Sequence, residues 1–64
     1  MKFSEALVAL EQGLKVRLPG WKGYWKVVDD AWGRPNILVF AQDGTITTTP
    51  FSYYMFATNW ELAP

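Results

Sequence analysis

The sequence has no cysteine and no histidine. Without cysteine there is no disulfide framework and no thiolate metal site, which points to a reducing compartment and predicts a protein of the cytoplasm. Without histidine the commonest general base and the commonest zinc ligand are missing too. Net charge is also lacking, since six basic residues balance six acidic ones. That balance argues against strong binding of duplex DNA and equally against an acidic mimic of DNA. No apolar run approaches the roughly 20 residues that span a bilayer. The carboxylate of Glu5 also interrupts the opening segment too early for a signal peptide. A soluble, unprocessed chain without membrane contact is the expectation.

Chemical motifs are equally scarce. The sequence contains no G-x-G-x-x-G, no phosphate-binding G-x-x-x-x-G-K, no H-E-x-x-H and no calcium loop, so no cofactor or metal is expected. Ser4 and Ser52 are the only serines, and neither has a histidine to activate it. Asp29 and Asp30 are consecutive, which on a strand sends them to opposite faces; loop closure suits them better than acid–base work. A non-catalytic protein follows.

With 64 residues, one compact domain (1–64) is what fits, because chains of this size bury only about 60% of their unfolded surface. Residues 3–12 read as an amphipathic helix, with Phe3, Ala6, Leu7 and Leu10 on one face, Ser4 as N-cap, Phe3 and Val8 as a staple, and Gly13 as terminator. Leu14, Val16 and Leu18 then alternate with Lys15 and Arg17, the period of a half-buried strand. Residues 24–29 give a second strand, with Trp25 and Val27 on one face and Tyr24, Lys26 and Val28 on the other. A loop follows over 29–35, and a third strand over 36–41. Asp43-Gly44 marks a hairpin into a threonine-rich edge strand at 45–49. After Pro50, residues 51–57 read as a second short helix capped by Thr49 or Ser52, and residues 60–62 as a final strand. The fold class is α+β: an N-terminal helix and a short second helix packed on a twisted antiparallel sheet of about four to five strands.

Aromatic residues are what the chain has in excess. Four tryptophans, four phenylalanines and three tyrosines are more rings than a core this small can bury with their polar tips satisfied. Trp21, Tyr24, Trp25 and Trp32 gather around two turns with Lys22, Lys26 and Arg34, a mixture suited to a ligand with a flat base and a phosphate or to a single nucleic-acid strand. The bland alternative is that Trp25 and one neighbour are core and the lysines are solvated. Lys15 and Arg17 share a strand face and could cradle phosphate, or could simply face water. Tyr53, Tyr54 and Phe56 form a further candidate patch for a partner chain.

Phe3-Ser4-Glu5-Ala6-Leu7, Leu10, Gly13, Lys15-Val16, Gly20-Trp21-Lys22-Gly23, Asp43-Gly44 and Ala57-Thr58-Asn59-Trp60-Glu61-Leu62 together resemble a family of small phage and prophage proteins. That family opens with F-x-E-A-L-x-x-L-x-x-G-x-K-V, continues with G-W-N-G and closes with A-x-D-W-E. Its members include the Thoeris anti-defence proteins, sponges for cyclic ADP-ribose-type immune signals, and its relatives include anti-CRISPR proteins. The resemblance implies a helix packed on an antiparallel sheet, homo-oligomers with ligand pockets between subunits, and a tryptophan in each pocket that stacks on the base. Carried onto this sequence, it makes Trp21 the stacking residue and Asn59 and Trp60 further contacts. Lys22 stands where the family has asparagine, Asn59 where it has aspartate, and the chain is shorter between its second and third strands. The implied role is a phage counter-defence protein that sequesters a nucleotide-derived cyclic signal in the host cytoplasm. Its candidate site residues are Trp21, Lys22, Tyr24, Asn59, Trp60, Lys15 and Arg17. The alternative is an anti-CRISPR-type inhibitor that binds a host immune effector and blocks its nucleic-acid site.

Overall fold

The computed structural model describes residues 1–49 and 52–64, and in it helix α1 covers Phe3–Glu11. The helix starts two residues earlier than a Ser4 cap would allow. Lys2 is the N-cap residue, and its own backbone N–H is taken by the Glu5 side chain at 3.0 Å, a carboxylate placed where it also meets the positive end of the helix dipole. Gly13, at φ +83°, terminates the helix: its N–H donates to the Leu10 carbonyl while that of Leu14 reaches back to Ala9. This paired ending needs a left-handed residue, which glycine adopts without strain.

Five antiparallel strands follow: β1 Val16–Arg17, β2 Tyr24–Asp29, β3 Pro35–Phe40, β4 Ile46–Thr48 and β5 Glu61–Leu62, in the spatial order β4-β3-β2-β1-β5. With a helix on the sheet this is the expected α+β fold, and β4 is the expected edge. β2 keeps its predicted bounds and β3 begins one residue early. β1 is shorter than its alternation suggests because the Leu14 N–H belongs to the helix ending and the Leu18 carbonyl accepts the Trp21 N–H in the following turn. The second helix of the sequence reading is a single 3-10 turn, Tyr53–Phe56, capped by the Ser52 hydroxyl, which accepts the Tyr54 N–H at 3.2 Å. The expectations for Pro50 and Phe51 fall outside the described residues. Among the described residues no helix is long and apolar enough to cross a membrane.

Register sorts the side chains onto two faces. Val16 pairs with Trp25, Trp25 with Val39 and Val27 with Ile37, so these residues share the face against which α1 lies. Ala6, Ala9 and Leu10 are the buried helix residues; Leu7, expected in that stripe, is exposed, and so is Val8, expected in a staple. Ala9 joins the expected Ala6 in their place because the opposing surface is already filled by large rings, and small side chains let the helix approach. Trp60 fills the middle of this layer at 2% exposure, 4.9 Å from Trp25 and 5.4 Å from Phe3 between ring centroids. Burying an indole of this size contributes on the order of 5 kcal/mol of transfer free energy. The opposite face carries Arg17, Tyr24, Lys26, Val28, Leu38, Phe40, Ile46 and Glu61 by the same alternation, and none of the buried side chains comes from it.

Candidate binding cleft

A cleft of about 390 Å³ opens where β2 begins and β3 ends. One wall is the turn Trp21, Lys22, Gly23. The strand ends supply Tyr24, Trp25, Val39 and Phe40, and Gln42, Thr49, Ser52 and Tyr54 close the remaining side. Gly23 is required by contact: a Cβ there would drive into the carbonyl oxygen of Phe40, so the turn can lie against β3 only without a side chain.

Trp21 is held from several directions. Its ring meets Tyr54 edge-on at 4.9 Å and Trp60 edge-on at 5.6 Å, and lies 6.0 Å from Trp25. Its N–H donates to Leu18, and its carbonyl accepts a long hydrogen bond from Arg17 Nη1 at 3.4 Å. Half-buried, it is backed by the core and borders the cleft, a pre-organised stacking surface. Tyr54 is placed opposite by the Ser52 cap, and its ring lies 4.4 Å from that of Tyr53. A hydrogen bond with Tyr54 raises the Tyr53 phenol above its ordinary pKa.

Of the residues singled out in the sequence, Trp21, Lys22 and Tyr24 line the cleft together. Trp60 does not: it is core, and its indole N–H donates to the Tyr54 carbonyl at 3.2 Å. Its part is to stand behind Trp21 and tie down Tyr54. Asn59 is exposed and outside the lining. Arg17 is tied to Glu61 by a 3.2 Å ion pair, and Lys15 reaches over the Tyr24 ring, 4.8 Å from its centroid. Both belong to the other face of the sheet and neither lines the cleft, although Arg17 reaches the Trp21 carbonyl from behind. The expected gathering of Trp21 and Trp32 also separates, because the length of β2 lies between them; Trp32 sits at the hairpin tip, 81% exposed. Asp30 builds that tip, accepting the N–H groups of Trp32 and Arg34 at 2.8 and 2.9 Å, and those bonds hold its pKa below the usual carboxylate range.

Sequence reasoning missed Gln42, Thr49 and Ser52 as lining residues and Tyr54 as the partner ring. Only Tyr54 carried a signal, in the surplus aromatics of residues 53–56. Comparison with known proteins adds nothing: no family model matches the chain, and no curated protein does. The chemistry rests on the lining. It offers stacking surface, hydroxyl and amide hydrogen bonds and one cation, Lys22, with no carboxylate in the wall. Among the described residues no group of three His, Cys, Asp or Glu side chains could hold a metal ion.

Proposed function

We propose that this chain is a non-catalytic phage counter-defence protein that sequesters a nucleotide-derived cyclic immune signal of a bacterial host. One observation carries the reading: the cleft combines the Trp21 and Tyr54 rings with Lys22 and contains no acidic residue. A base stacks on the rings, and a phosphate meets the lysine without opposing charge. The volume falls in the ordinary range for small-molecule sites, roughly 300 to 1,000 Å³. Isothermal calorimetry with cyclic ADP-ribose isomers and cyclic oligonucleotides tests it. Saturable heat that disappears in Trp21→Ala and weakens in Lys22→Ala is expected; no heat with any of them at micromolar protein overturns it.

A second reading, an inhibitor that docks on a host immune effector and blocks its nucleic-acid site, is favoured by Trp32. An exposed indole on a loop fixed by Asp30 has the form of an interface anchor, because little ordering entropy remains to be lost on docking. It predicts a stoichiometric effector complex that Trp32→Ala dissolves and Trp21→Ala leaves intact.

A further inference from the structure

The face of the sheet turned away from α1 holds two cations, Lys15 and Lys26, that the cleft does not use. The Val16 to Trp25 register brings Lys15 opposite Lys26 across β1 and β2, and alternation puts both on this face. Like charges directly opposite in an antiparallel pair are unfavourable. No carboxylate beside them offsets the repulsion, although the Tyr24 ring lies under Lys15 at 4.8 Å: Glu61 is the one acidic strand residue that alternation places here, and it is bound to Arg17. The other carboxylates lie elsewhere, Glu5 and Glu11 on or at the end of α1, Asp29 at the end of β2 on the opposite face by alternation, and Asp30 and Asp43 inside the hairpin turns. Zero net charge thus conceals a separation of charge, with the excess of cations on the open face. Beside the two lysines stand Tyr24 and Phe40, paired in register and stacked nearly parallel at 5.0 Å and 13°.

We propose that this open face, which meets the cleft at Tyr24 and Phe40 but carries its own cations in Lys15 and Lys26, takes single-stranded nucleic acid. Phosphates sit at Lys15 and Lys26, and bases pack on the Tyr24–Phe40 pair and its apolar neighbours. A second copy of the chain fits poorly, since face-to-face docking brings lysines towards lysines with no free carboxylate to meet them. An apolar partner would bury two unpaired ammonium groups. A polyanion removes the repulsion, and flat bases suit half-buried rings that border an open sheet face.

The test is fluorescence anisotropy of a labelled oligothymidylate of about fifteen nucleotides, titrated with the full chain over a salt series. Saturable binding is expected, with log affinity falling against log salt at a slope of about −1.4 for two phosphates neutralised. The double variant Lys15→Ala, Lys26→Ala should retain its far-UV circular dichroism, lose about tenfold in affinity and flatten the slope. Trp21→Ala removes the stacking surface of the cleft and leaves the salt slope of oligonucleotide binding unchanged, while Lys26→Ala alone, whose side chain is not in the cleft wall, leaves any calorimetric signal of the cleft unchanged. The two sites therefore fail separately. Flat anisotropy at low salt, or a double variant that binds as the parent does, overturns the proposal. So does equal competition by polyglutamate, which would mark an acidic protein surface, or by an abasic oligomer, which would remove any role for bases.

Discussion

The two faces of the sheet are cut from the same strands by alternation, yet they differ in almost every respect. Against α1, Val16, Trp25 and Trp60 are closed off from water, and the Trp60 indole N–H has its acceptor in the Tyr54 carbonyl. On the open face no side chain is fully buried, Ile46 stays 54% exposed, and lysines stand beside rings. The covered face holds the fold together, and the open face is left available for contact. The cleft lies where the two meet, which is why Trp21 has its back in one environment and its border in the other.

That contrast can be broken most severely at Trp60. Trp60→Ala removes one of the two largest core side chains and one of the two hydrogen bonds to the Tyr54 carbonyl, which keeps the Ala57 N–H, and should cost about 3–5 kcal/mol, enough to leave a domain of this size largely unfolded. Urea titration followed by far-UV circular dichroism measures it; a loss below about 1 kcal/mol would contradict the packing described. Gly23→Ala tests the seam between the faces. Its methyl group meets the Phe40 backbone, so a loss of about 1–3 kcal/mol is expected, together with weaker binding in the cleft.

Smaller effects belong to the loops. Asp30 is held ionised chiefly by the Arg34 N–H, so its pKa is lower in the folded state than in the unfolded chain. Its stabilising contribution is present above the ordinary carboxylate range and is lost as pH falls through the depressed folded value. Thermal melts should therefore show a midpoint that drops on acidification, and Asp30→Asn should lower the midpoint at neutral pH and flatten part of that acid limb. Weakest of all is Glu61→Gln, which breaks the Arg17 ion pair on the open face. With both side chains partly in water, under about 1 kcal/mol is expected from the same urea titration.

Legibility in the sequence followed locality. β2 and the Asp43-Gly44 hairpin were readable because alternation and turn chemistry act within a few residues. The helix was readable too, but its buried stripe turned towards Ala9, since the size of the opposing rings is a tertiary fact. Trp21 could be singled out from its glycine-flanked turn, whereas the fate of Trp60 could not, because Tyr54 and α1 decide it. Gln42, Thr49 and Ser52 carry no pattern at all; neutral polar residues become a wall only when strand ends and a 3-10 turn bring them together.

The place of Trp60 in the chain also bears on time. The β2, β3 and β4 ladder closes through short hairpins, but Trp60 must return across 59 positions to bond with Met1 beneath the helix. Closing that long loop comes late, because its entropy is lost before any contact offsets it. Until the indole arrives, Trp25 and Trp21 stand open to solvent and to neighbouring chains. In stopped-flow experiments Trp60→Phe should speed unfolding while leaving refolding nearly unchanged; refolding slowed in proportion to the lost stability would mean that the indole docks before the barrier. The side chain that closes the core thus acts as a latch, and how long the molecule stays folded depends on how often that latch lifts.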